Sequence, residues 1–429
     1  MRDGGRPTRP LWIATGVFVL GLVVAPHVYH NYDVVDCFLA WARATNGAYP
    51  ADAYTPGAGA DDCDYPPLVP YFLAAAEGAR LVARAPAVSA LSILLLKLPN
   101  LLAALLIVPT ALRGLLDIAG PTTAARAALF LALCPALFVN AALWGQFDVL
   151  LALFLVAAVI ALVRDEPYLA GAAMGLALAT KVLALVPVPI LAVYAWRRLG
   201  GKAVLRGAGI CVLVIAALAL PHVIAGRGKA ALQSYTGAVG YYPYRTAEAY
   251  NTWFLLDRID VLVRGLPPPE VRRDDRPAVG PLTFHHVGLL AFGAATVFLS
   301  ASLWRHPTPT VFLWCVGLQL FAFFMLPTQV HQRYIVPAVA LLALVAPLSR
   351  RGLFLFAGVS ATATLNQLVD LLRALPADPL PGALGAAEYG LATRTARDLG
   401  AAVAVANLLL FVGAGWAFAH ETPDPDAKA

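Results

Sequence analysis

"GADDCDYPPLVPYF", residues 59–72, runs three carboxylates (Asp61, Asp62, Asp64) into two prolines and an apolar segment. The fold turns on whether that segment, 67–83, crosses a membrane. The chain is 60% hydrophobic and 13% charged, with a mean hydropathy of +0.72. Soluble chains run nearer ~45–50% apolar. Apolar runs of about 17–25 residues recur from end to end, each long enough for a ~30 Å hydrocarbon core. The sequence therefore predicts an all-α, polytopic transmembrane helix bundle, a single transmembrane domain over 1–429. No long stretch has the charged composition of a soluble catalytic domain. The first run, Leu11 to about Val28, reads as a span. It is long for a cleaved leader, and Ala25-Pro26-His27 is a poor small-residue cleavage site.

The net charge of +6 bears on orientation. No basic tract with interleaved aromatics points to a nucleic-acid partner. Arg2, Arg6 and Arg9 start the chain inside by the positive-inside rule. Were 67–83 to cross, Arg197, Arg198, Lys202, Arg206, Arg350 and Arg351 would all fall outside. If it lies along the outer interface, they stay cytoplasmic. About twelve spans follow (11–13), with both termini inside and two long extracytoplasmic loops, 29–92 and 225–285. Spans are expected near 11–28, 93–112, 124–142, 147–163, 168–183, 184–196, 207–224, 286–303, 309–327, 335–349, 352–371 and 398–418. The run 168–196 is too short for two full spans and too long for one. A short hairpin with Lys181 near its outer tip resolves that, since a lysine deep in hydrocarbon costs ~2.5–3.5 kcal/mol.

Under this topology the polar groups collect on one side. Asp33, Asp36 and Asp64 lie in the first outer loop. Tyr65-Pro66-Pro67 fixes the backbone beside Asp64. Lys97 starts a span at its outer end. Trp144, Gln146 and Asp148 form one hairpin tip and Lys181 the next. Arg245, Asn251 and Trp253 lie in the second long loop. His331, Arg333 and Tyr334 open a span near its outer end, an arrangement suited to an anion. Each has a plainer reading: solvated loop acids for Asp61 and Asp62, snorkelling for Lys97 and Lys181, helix capping for Gln146 and Asp148. A transporter would place such groups at the midplane between repeats. No internal repeat is visible, which favours chemistry at the membrane face over passage. The five cysteines give no metal spacing, the residues specify no cofactor, and a divalent-metal requirement stays open. Cys37 and Cys63 share the first loop, where an oxidising side would allow a disulfide.

Six stretches together resemble the GT-C superfamily of integral-membrane glycosyltransferases, in particular bacterial mannosyltransferase-like members related to the GPI-anchor enzymes. They are "DVVDCFLAWARATNGAYP" (33–50), "DYPPL" (64–68), "LKLPNLLA" (96–103), "NAALWGQFDVL" (140–150), "YYPYRTAEAYNTWFLL" (241–256) and "HQRYIVPA" (331–338). The resemblance implies a polyprenyl-phosphate-linked sugar donor, a lipid- or glycan-linked acceptor and an extracytoplasmic site. It also implies a general base in the first outer loop, for which Asp33 fits best with Asp36 as competitor, and interfacial helices in that loop. Arg333, His331, Lys181 and Arg245 would then face the lipid phosphate, and Trp144, Tyr242, Trp253 and Tyr334 the sugar or prenyl chain. The family often places an acid after the Lys-Leu-Pro stretch, where this chain has Ala103 and Ala104. A transporter or flippase and a GT-C-like glycan ligase are the rival classes.

Overall fold

The computed structural model describes residues 8–28, 32–237, 240, 242–264, 273–373 and 386–421. Arg2 and Arg6 lie outside the described residues, as do parts of both long loops. The described residues are mostly helical. Seven helices among the described residues are long and apolar enough to cross a membrane: Arg9–His27, Ala90–Ala132, Val182–Leu199, Gly201–Ile224, Phe284–Arg305, Arg350–Leu371 and Asp398–Ala419. Five shorter apolar helices accompany them: Pro135–Trp144, Asp148–Val163, Pro167–Thr180, Pro309–Met325 and Gln332–Val345. A two-stranded antiparallel hairpin, Pro277–Val279 with Leu282–Thr283, is the departure from all-α.

The helices break where the sequence carries its polar tips. The expected spans 93–112 and 124–142 correspond to two helices within Ala90–Ala132 that meet at a kink at Gly120, whose backbone is non-helical (φ 78°, ψ 165°). Glycine adopts that angle without steric cost, and Pro121 can start a new helix because its missing N–H would be unpaired there anyway. A second break precedes Pro135. Pro167–Thr180 ends at Lys181, whose backbone is extended (φ −160°, ψ 138°). The hairpin expected over 168–196 thus turns at the lysine.

The segment after the opening acids is the 15-residue helix Leu68–Val82. At 1.5 Å per residue it is ~22 Å long, short of a ~30 Å core. Its buried Glu77 pairs with Arg80 at 2.6 Å.

Contacts group the chain into two compact units. The first holds the described residues up to Leu185 and those from 201 to 240; the second holds Val186–Gly200 and most of the chain from Tyr242 onward. In the first, the helices Pro167–Thr180 and Gly201–Ile224 cross closely at Gly171, where a Cβ would lie 2.1 Å from the Gly207 carbonyl. Small residues at such crossings let backbones approach where apolar lipid offers no hydrophobic drive to association.

Candidate active site

Two π-helical segments build the site in the first unit: Asp33–Phe38 and Val139–Trp144. Such bulges are rare and recur at functional sites, because they displace a side chain from the regular helical register. Here they meet. The indole Nε1 of Trp144 donates to Asp33 Oδ2 at 2.9 Å. Asp33 is half-buried, whereas Asp36, one turn on, is exposed. The second bulge ends at Gly145 in the left-handed conformation (φ 87°). A Cβ there would also sit 2.7 Å from the Lys97 side chain.

The "GQFD" turn then starts the helix Asp148–Val163. Asp148 is fully buried and its Oδ1 accepts from Lys181 Nζ at 2.6 Å. Asn140 Nδ2 approaches Asp148 Oδ2 at 3.4 Å. The carboxylate is thus spent on an ion pair and not on a helix cap. The Lys181 ammonium lies 5.6 Å from the centre of the Tyr65 ring. Tyr65 donates through its hydroxyl to Gln146 Oε1. Its ring sits edge-on to Phe38 and Phe147 at 5.6 Å and 5.5 Å. Gln146 Nε2 is buried with no hydrogen-bond partner among the described residues. Burying an amide donor without a partner is costly, so such a group is a place where a ligand acceptor would be welcome.

The first loop is knitted beside this. Asp61, expected to be a solvated acid, instead accepts from Tyr32 Oη at 2.8 Å, and its carbonyl accepts from Trp41 Nε1 at 2.8 Å. The bond to Asp61 is the chief reason the Tyr32 phenol is raised well above its usual range. Asp64 is exposed; it is the next residue, Tyr65, that turns inward. Cys37 and Cys63 are free buried thiols, so the disulfide that the loop would allow is not formed. Burial pushes the Cys37 thiol up to about 12 and the Cys63 thiol up as well.

Lys97 is not a snorkelling or phosphate-facing lysine. It is fully buried, two turns inside its helix, with Nζ donating to the carbonyls of Ala25 (3.2 Å), Val28, Ala142 (3.0 Å) and Leu143 (2.8 Å). These carbonyls end two helical segments, where unpaired acceptors and the dipole favour a cation. The ammonium ties the ends of the segments that lead to Asp33 and Trp144. That explains why no acid is needed after Lys-Leu-Pro.

In the second unit three expected ligand-binding residues prove to be internally engaged. Arg245 is buried; its Nη2 pairs with Asp257 and, at 2.9 Å, with Asp260, and its guanidinium packs over Phe284 at 4.7 Å. Two buried carboxylates neutralise it through Nη2, while its Nε and Nη1 are buried without a hydrogen-bond partner among the described residues. Asn251 Oδ1 accepts from the N–H groups of Trp253 and Phe254 (3.1 Å and 3.2 Å), and its Nδ2 donates to the Phe324 carbonyl at 3.0 Å. It caps the helix Thr252–Arg264. Trp253 Nε1 donates to Leu326 O at 2.6 Å. His331, Arg333 and Tyr334 remain half-buried. Their rings cluster: Tyr242 meets His331 at 4.9 Å, His331 meets Tyr334 at 5.2 Å, and the Arg333 guanidinium lies 5.9 Å from the Tyr334 ring.

Sequence reasoning passed over Asn140, Asn366 and Asn407. Asn366 accepts from Tyr250 N (3.0 Å) and donates to Glu248 O (2.9 Å), while Asn407 donates to Tyr250 O (2.9 Å). Each was visible as an amide inside an apolar run. No group of three or more His, Cys, Asp or Glu side chains is arranged for a metal among the described residues.

Over 95% of its length the chain is similar to ArnT from Cupriavidus metallidurans bound to undecaprenyl phosphate, with a TM-score of 0.50 at 16% identity and 76% of ArnT covered. ArnT in the apo state gives 0.50 at 17% identity, covering 95% of this chain and 75% of that one. A weaker likeness, 0.41 at 13% identity, covers 95% of this chain and 56% of the oligosaccharyltransferase AglB from Archaeoglobus fulgidus in complex with an inhibitory peptide and a dolichol-phosphate. No curated protein matches. The fold is that of the GT-C membrane glycosyltransferases. Within that class the chain belongs to glycosyltransferase family 87, whose model matches residues 65–327. It is a multi-pass membrane glycosyltransferase.

Proposed function

We propose that this enzyme moves a hexose, with mannose the leading candidate, from a polyprenyl-phosphate donor to a lipid- or glycan-linked acceptor of the cell envelope. The active site faces the extracytoplasmic side and both termini the cytoplasm. The observation that carries the reading is the half-buried Asp33 carboxylate, aimed by Trp144 Nε1 at 2.9 Å where two π-helical segments meet. The undecaprenyl phosphate bound to ArnT supports the donor class.

A sugar hydroxyl is a weak nucleophile. Asp33 takes the acceptor's proton as the acceptor oxygen bonds to the anomeric carbon. The bond from that carbon to the phosphate oxygen breaks, and the lipid phosphate leaves with the electron pair. Direct displacement inverts the anomeric centre and needs no enzymic nucleophile. Gln146 Nε2 offers a donor to a sugar hydroxyl. Lys181 contributes positive charge near the leaving group while its pair with Asp148 holds it in place. In the second unit Arg333, half-buried beside His331 and Tyr334, is a cation suited to a phosphate.

The test is purified protein in lipid with a panel of polyprenyl-phosphate sugars, scored by mass spectrometry of the freed lipid phosphate. Release from one donor, acceptor-dependent and lost in Asp33→Asn, supports the reading. Translocation of an intact lipid-linked sugar without release would favour the flippase class instead.

A further inference from the structure

Past its first turn, where Trp253 and Phe254 are buried, the helix Thr252–Arg264 is built inside out. It lies in a loop that the sequence places outside the membrane, and it is not among the apolar helices suited to crossing. A helix resting on a protein in water buries its apolar residues and exposes its charges. This one buries Asp257 and Asp260, 1% and 3% exposed, against Arg245, and turns outward Ile259 (52%), Leu262 (73%) and Val263 (77%). An apolar face left in water while carboxylates occupy the interior is unfavourable twice over. The polarity fits an apolar outer medium.

The depth of the helix is set by what it packs on. Arg258 Nη2 pairs with Asp398 at 3.2 Å. Asp398 closes the polar stretch Arg394–Asp398, after which the run Leu399–Ala419 carries no charge. Tyr250 and Phe254 pack against Val403 and Ala404, just inside that run. The helix therefore crosses the point where a membrane-spanning helix enters the hydrocarbon, and its outward face continues the lipid-facing surface of that span, where Val405 and Leu409 are exposed.

We propose that Thr252–Arg264 is a membrane-seated helix, with Ile259, Leu262 and Val263 in the boundary between lipid headgroups and acyl chains. Its occupant is the bilayer itself. Interfacial helices of this kind bury an apolar face a few ångströms into that boundary. The seat matters to the enzyme because Asn251, which caps this helix, ends the segment 246–251 that pairs with His331 through the bridges at Ala247 and Glu248. Lipid contact at Leu262 thus steadies the backbone around His331.

The experiment uses the full chain in phosphatidylcholine–phosphatidylglycerol nanodiscs. Leu262→Cys and Val263→Cys are each labelled with an environment-sensitive bimane, with labelled parent protein as the background from native cysteines. Emission should fall about twofold with shallow doxyl-labelled phosphatidylcholine and stay nearly constant with iodide, as expected for a probe at the acyl boundary. Strong iodide quenching with no doxyl effect would overturn the proposal by placing the face in water. Protection from both quenchers would overturn it by showing a protein cover. The two sites serve as independent readings, so failure of one variant to fold leaves the test intact.

Discussion

Both units bury charged and amide side chains, yet they use them differently. In the second unit Arg245 is neutralised by Asp257 and Asp260, Asn251 makes three backbone hydrogen bonds, and Asn366 and Asn407 hold the backbone of Tyr250. Those groups fasten chain segments. In the first unit the Asp148–Lys181 pair is accompanied by a half-buried acid, Asp33, and by a buried amide nitrogen of Gln146 with no partner among the described residues. Residue type does not separate scaffold from chemistry here. What separates them is access: Asp33 is half-buried, whereas Arg245, Asn251, Asn366 and Asn407 are buried.

The Asp148–Lys181 pair offers the largest way to break this comparison. Lys181→Met leaves a buried carboxylate without its cation, which typically costs ~3–5 kcal/mol. The double variant Lys181→Met/Asp148→Leu should regain most of that stability, read as thermal unfolding in detergent, but not turnover. If the double variant regains both, the pair is scaffold like its counterpart at Arg245.

Next in size is Lys97→Met. It strips a cation from four carbonyls, each buried orphan costing ~1–3 kcal/mol less whatever water replaces. Lowered thermal stability should come with a lowered turnover number in the surviving folded protein, because the Ala142 and Leu143 carbonyls lead directly to Trp144. A stability loss with unchanged turnover would detach Lys97 from the positioning of Asp33.

A smaller effect is expected at Asn251→Ala. Loss of a helix cap costs ~1 kcal/mol, and turnover per folded molecule should hold if the residue is only a fastener. A large fall in donor affinity would move Asn251 from the scaffold to the site.

The smallest effect is chemical. The Cys37 thiol is raised to about 12, chiefly by burial, and Cys63 is raised too. The thiolate is the reactive form, so at pH 8 both should alkylate far more slowly than in the unfolded chain, with the native mass unchanged by reductant. A mass gain of two protons on reduction would reveal a bridge instead.

The sequence made the helix bundle and its break points legible, because apolar runs and tip motifs are local signals. The turn at Lys181 followed from a run of the wrong length for its charges. The extension of the first of the two helices within Ala90–Ala132 through residues 113–119 did not follow, since one glycine angle decides where it ends. The fates of Arg245 and Lys97 were not legible either. Arg245 meets acids on the helix that follows it, Asp260 lying 15 residues on, and Lys97 meets backbone carbonyls from residues 45 and 72 positions away. Carbonyl partners leave no mark in composition. The two π-helical bulges were equally hidden, although "NAALWGQFD" and "DVVDCF" both drew attention for their side chains.

The central claim is that Asp33 is the base and the exposed Asp36 is not. Single-turnover release of lipid phosphate, measured alongside donor binding, tests it directly. Asp33→Asn should lose ~10²–10⁴-fold in rate, the usual loss for a general base, while donor affinity stays near that of the parent. Asp36→Asn should stay within a few-fold of the parent rate. If Asp33→Asn keeps the parent rate, the chemistry does not pass through this carboxylate, and the account of the site is contradicted.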